Sequence, residues 1–126
     1  MSRIQQLLTL AQEELDTADL LWKNDRYRAC VSRSYYAMYH ATQALLSLKD
    51  LSTKTHKGII QMFGQHFIKT NIFPVELARA LSDAYDVRRL SDYEETIFLS
   101  SKQSEIVLNS ARSFIEQAVQ YCNKVR

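Results

Sequence analysis

Glycine and proline are nearly absent: the chain has two glycines and one proline in 126 residues. Folds rich in tight turns draw on glycine for left-handed backbone and on proline for a pre-set φ, so this scarcity argues against a sheet and for long uninterrupted helices. Cysteine is also scarce. Cys30 and Cys122 have no C-x-x-C spacing and lie in apolar, helix-like runs, which predicts buried free thiols in a reducing compartment rather than a disulfide or a metal pair. No run approaches about 20 apolar residues, and the N-terminus lacks the short apolar core of a secretory leader. A cytoplasmic protein that does not enter membranes is expected. Charge of one sign is missing too: 16 Lys and Arg against 14 Asp and Glu leave a net charge of +2. That balance excludes a histone-like binder, so any contact with RNA must come from a local patch. His40, His56 and His66 show no H-E-x-x-H or Cys/His spacing, and neither glycine belongs to G-x-x-x-x-G-K or G-x-G-x-x-G. Neither a metal nor another cofactor is therefore expected.

What is present is helical periodicity. With 46% hydrophobic and 24% charged residues, residues 1–126 suit one compact domain. Ser2 and Gln5 have capping-box spacing, followed by Ile4, Leu7, Leu8, Ala11, Leu15, Ala18 and Leu21 on one face, with Trp22 closing the helix against the core. A polar connection, "KNDRY", leads to a second helix over 27–49. A third, shorter helix follows, with Ile59, Ile60, Phe63 and Phe67 as its apolar face. Pro74 suits the first position of a fourth helix carrying Leu77, Ala80, Leu81 and Ala84. Ser100 or Ser101 caps a last helix running through Ile106, Val107, Ala111, Phe114, Ile115, Ala118, Val119 and Cys122. The expectation is an all-α, up-down bundle of four long helices plus a shorter one.

Three polar stretches stand out from this pattern. In "VSRSYYAMYHATQALL", residues 31–46, helical spacing aligns Arg33, Tyr36, Ala37 and His40 on one stripe, while Tyr35, Met38 or Tyr39, Thr42 and Leu45 or Leu46 face the core. A Tyr-rich helix with one histidine is often no more than packing with one satisfied hydrogen bond. Arginine and histidine together nevertheless suffice in principle for RNA cleavage without metal. The imidazole activates the ribose 2′-hydroxyl, and the guanidinium stabilises charge on the phosphoryl oxygens. "KTHKG" places Lys54, His56 and Lys57 at a helix entry, where cations and free backbone amides could hold a phosphate of RNA or of a nucleotide. In "RRLSDYEE", Arg88 has the spacing to pair with Asp92, and Arg89 that to reach Tyr93 or nearby acids. A cluster of Arg33, Tyr36, His40, Arg88, Asp92 and Tyr93 requires the second and fourth helices to be neighbours, with Asp92 orienting an imidazole or an arginine.

In that order, "SRSYYAMYHATQALL", "KTHKGIIQMFGQHFIKT" and "RRLSDYE" resemble the HEPN domain family, and within it a small stand-alone branch of bacterial and archaeal proteins. The resemblance spans about residues 5 to 120. It implies a helical bundle that forms a homodimer and is often encoded beside a minimal nucleotidyltransferase. In several branches such a pair is a toxin and its antitoxin: the HEPN protein is a metal-independent endoribonuclease, and its partner silences it, in some cases by attaching AMP to a tyrosine. Tyr93 is the candidate for such modification. The family's catalytic signature is a late-helix arginine followed after four to six residues by histidine. Here Asp92 and Tyr93 stand where that histidine would be expected, and Arg33 to His40 is the available Arg-to-His spacing. Two other readings compete: a non-catalytic nucleotide-binding or adaptor module for the partner enzyme, and a dimer whose tyrosines and histidine only build the interface.

Overall fold

The computed structural model describes residues 2–125, which form five α-helices and no strand. They are α1 (Arg3–Lys23), α2 (Tyr27–Ser47), α3 (His56–Phe63), α4 (Val75–Tyr93) and α5 (Ser101–Val125). Four are long and α3 is short, as the periodicity predicts. The expected end of α2 at residue 49 is two residues too late, because the chain turns after Ser47.

Helix ends explain how so few glycines suffice. Asp25, Asp50 and Asn71 take positive φ of 61°, 56° and 61°, the left-handed conformation that short polar side chains tolerate best after glycine. Each is followed by a backbone amide that reaches back five residues: Arg26 to the Leu21 carbonyl (2.8 Å), Leu51 to Leu46 (3.0 Å) and Ile72 to Phe67 (3.1 Å). One C-terminal motif thus closes three helical segments. At the N-termini, Ser2 and Gln5 form the capping box of α1. Ser100 does the same for α5, its Oγ accepting from the Gln103 amide at 3.0 Å while the Gln103 side chain accepts from the Ser100 amide at 2.9 Å. Pro74 is the N-cap of α4 rather than its first helical residue, with ψ 156° keeping it extended.

The core sits around α2, which packs on α1, α3, α4 and α5. Alanines permit the close approach. Ala37, Ala41 and Ala44 on α2 and Ala11 and Ala18 on α1 are all 0% exposed. Ala37, placed on the polar stripe by spacing, therefore belongs to the core. A single π turn over Gly64–Ile68 extends α3 and carries Phe67 inward, where it stacks on Phe63 with ring centroids 5.8 Å apart. Trp22 donates from Nε1 to the Ser101 carbonyl at 3.0 Å, tying the end of α1 to the start of α5. Cys30 and Cys122 are buried and form no disulfide. None of the described helices is long and apolar enough to cross a membrane.

Candidate functional site

The polar flank of α2 is organised around Tyr36. The Arg33 guanidinium lies 5.0 Å from its ring centroid, and that of Arg88, from α4, lies 5.2 Å away. The His40 ring is 6.3 Å from the same centroid. Arg33, Tyr36, His40 and Arg88 are therefore contiguous across the α2–α4 contact. Their polar partners divide them. Arg33 donates to both oxygens of Glu14 on α1, at 3.2 and 2.9 Å. His40 also turns that way, with Nε2 3.9 Å from a Glu14 oxygen, and its buried Nδ1 has no hydrogen-bond partner. Glu14 is missing from the sequence-derived cluster, because only the α1–α2 packing brings this carboxylate to Arg33.

The other end is built by His56, the first residue of α3. Its Nδ1 is 2.6 Å from the Tyr35 hydroxyl, and its ring stacks on Tyr85 at 5.6 Å and tilts against Tyr39 at 5.1 Å. Tyr35 is fully buried, and that burial raises its pKa, so the hydroxyl keeps its proton. His56, Tyr85, Arg88, Arg89, Asp92 and Tyr93 line one cavity of about 400 Å³. Spacing assigns His56 to phosphate binding and makes His40 the base. The fold instead sets His56 in the aromatic cluster and places it in the cavity with Arg88, while His40 faces the Glu14 carboxylate. Because α3 and α4 are separate helices, no local spacing could reveal that pairing.

The remaining candidates fall into place around these two ends. Arg88 Nε is 3.0 Å from an Asp92 oxygen, an ion-pair distance whose alignment does not make a hydrogen bond. Asp92 thus faces an arginine rather than an imidazole. Arg89 lies 6.0 Å over Tyr85, on the cavity wall, instead of pairing with Tyr93. Tyr93 is 81% exposed at the cavity rim. Lys57 is exposed, and Lys54 lines a different cavity, toward α1. The entry to α3 is held by Thr55, whose Oγ1 accepts from the Gly58 amide at 2.9 Å. A Cβ at Gly58 would collide with the Thr53 hydroxyl and come within 2.7 Å of the Thr55 hydroxyl. Gly58→Ala is therefore expected to break the cap next to His56 and lower stability by about 1 kcal/mol or more, measurable by urea unfolding. Gly64→Ala meets open space and is the matched control.

Both imidazoles are held below the ordinary histidine pKa. Burial is the main cause for each; for His56 the Arg88 charge adds to it, while for His40 the Gln43 side chain and the Glu14 carboxylate oppose it. A lowered folded-state pKa means that the unfolded chain takes up protons first. Stability is then complete above the unfolded histidine value of about 6.5, and falls as pH drops through that value toward the folded pKa. Melting temperature should accordingly drop on acidification from about pH 7.5 to 5.5. Replacing both histidines by glutamine should flatten that slope; an unchanged slope would assign it to other groups.

A helical bundle with arginine, histidine and tyrosine side chains gathered on one flank defines the class. The HEPN domain model matches residues 4–122, and the chain belongs to this family. Among its relatives, "Putative toxin MJ0142" of Methanocaldococcus jannaschii is 33% identical, over 94% of this chain and 80% of the relative. "Putative toxin MJ0605" of the same organism is 34% identical, over 90% and 84%. A UPF0332 protein of Gloeobacter violaceus is 33% identical, over 93% and 94%.

Proposed function

We propose that this protein is the toxin component of a toxin–antitoxin pair, a cytoplasmic endoribonuclease that works without metal and is restrained by a minimal nucleotidyltransferase. Two of its relatives carry the word toxin in their names. The observation that carries the reading is the cavity shared by His56, Arg88 and Arg89. In the tautomer whose Nδ1–H donates to the Tyr35 oxygen, neutral His56 presents a lone pair on Nε2. That nitrogen takes the proton of a ribose 2′-hydroxyl as the 2′-oxygen bonds to phosphorus. The bond from phosphorus to the 5′-oxygen breaks, the leaving oxygen is protonated from solvent, and a 2′,3′-cyclic phosphate and a 5′-hydroxyl result. Arg88 and Arg89 face the charge that develops on the phosphoryl oxygens. Leu90, Tyr93 and Phe98 are 52%, 81% and 87% exposed, apolar surface of the kind that a second copy in a homodimer would cover.

The test is incubation of the purified protein with single-stranded RNA in EDTA, with analysis of the termini. Cleavage that persists and leaves cyclic phosphates is expected. Loss of cleavage in EDTA would point to metal chemistry, and no cleavage at all would leave an adaptor role for the partner enzyme. Expression with and without the neighbouring gene, scoring growth and RNA integrity together, checks the pairing.

A further inference from the structure

A second cavity, of about 340 Å³, opens where the start of α1, the end of α2 and the α2–α3 connection meet. Its volume lies at the small end of the range of about 300–1,000 Å³ for ligand sites. Arg3 and Lys54 bring two cations to its lining, Tyr39 gives it an aromatic surface, Leu46 an apolar one, and Gln43 and Thr53 supply hydrogen-bonding groups. Arg3 is the first residue of α1, and neither α1 nor α3 has an acid in its first turn. A cation there opposes the helix dipole instead of complementing it, so helix stability alone does not account for Arg3. Asp50 does not line this cavity but an adjoining hollow, whose lining Arg3 shares. The cavity also meets the candidate site through Tyr39, whose ring lies 5.1 Å from that of His56, which lines the cavity of Arg88, and 5.6 Å from that of His40.

We infer that this cavity is a nucleotide subsite, in which Tyr39 stacks with a base, Gln43 and Thr53 hydrogen-bond to it, and Arg3 and Lys54 hold its phosphate. The inference rests on the ribonuclease reading only for its use, which is to seat the nucleotide flanking the scissile bond. Aromatic stacking and paired cations are the chemistry that binds single-stranded RNA with little base preference.

Titration of the whole protein with uridine 5′-monophosphate, adenosine 5′-monophosphate and inorganic phosphate, followed through backbone amide NMR shifts, tests it. Both nucleotides should move the Gln43, Thr53 and Lys54 amides saturably, with phosphate alone about tenfold weaker or worse. The Arg3→Ala, Lys54→Ala double variant should lose about tenfold in affinity. Ser52→Trp, at an exposed position on the rim, should block the cavity while the rest of the amide spectrum stays in place. Phosphate binding as tightly as the nucleotides, or nucleotide binding that survives Ser52→Trp, would overturn the subsite. Saturable binding in a protein that cleaves no RNA would uphold it and remove the ribonuclease reading; cleavage without any nucleotide-induced shift at these amides would do the reverse.

Discussion

On the proposed ribonuclease reading, replacing His56 by alanine is expected to slow RNA cleavage by about 10²–10⁴-fold, and Arg88→Ala by about 10²–10³-fold. His40→Ala should change the rate far less. The ordering follows from where each group points. His56 and Arg88 line the same cavity, so a phosphodiester seated there meets both. His40 instead faces Glu14, with Nε2 3.9 Å from its oxygen. Arg88→Lys keeps the charge but loses the planar fork that matches a phosphate, and should recover only part of the rate. The pH profile separates a proton-transfer role from a packing one. Burial and the Arg88 charge hold the His56 pKa down, so activity should rise with pH through a value below the ordinary histidine range. Removing the Arg88 charge with Arg88→Gln should move that limb upward. If His40→Ala abolished cleavage and His56→Ala left it intact, the base would lie at the Glu14 end of the cluster.

The contrast between the two histidines shows which relations a sequence carries on its surface. Helical spacing is enough for Ile59, Phe63 and Phe67, for the Ser2–Gln5 and Ser100 caps, and for Arg88 facing Asp92, because each depends on residues within two turns of one another. It also separates the buried side of α2, with Tyr35, Met38 and Leu45 fully buried, from a half-buried polar flank with Arg33, Tyr36 and His40. Relations between helices are not local. Glu14 meets Arg33 across α1 and α2, and His56 reaches Tyr35 and Arg88 from a third helix. The "KTHKG" stretch reads as a cationic helix entry, and its lysines are indeed exposed. Its histidine is drawn inward because it opens α3 on the same helical face as Ile59 and Phe63, which turn toward the core. The turns are obscured for a different reason: Asp25, Asp50 and Asn71 occupy left-handed positions usually marked by glycine.

Phe63→Ala should give the largest loss of stability, about 3–5 kcal/mol in a domain whose total stability is of order 5–15 kcal/mol. Phe63 is 0% exposed. Its ring lies 5.8 Å from Phe67, 6.0 Å from Phe73 and 5.3 Å from Phe114, so it joins α3 to the π turn, the approach to α4 and the middle of α5. Truncation removes the apolar contacts and leaves a cavity that these separate segments cannot close together. Urea unfolding measures the loss directly; Phe98→Ala, at a position 87% exposed, should stay within about 0.5 kcal/mol of the parent. A cost below about 1 kcal/mol at Phe63 would mean that the cluster repacks freely. The consequence reaches the candidate site because α3 is only eight residues long, too short to be stable without tertiary packing. Phe63 anchors its last turn and His56 occupies its first. Amide exchange in α3 should therefore accelerate in Phe63→Ala more than in α1, and the RNA cleavage proposed above should fall even at temperatures where the bundle remains folded. Phe63→Leu, which fills most of the space, should restore both.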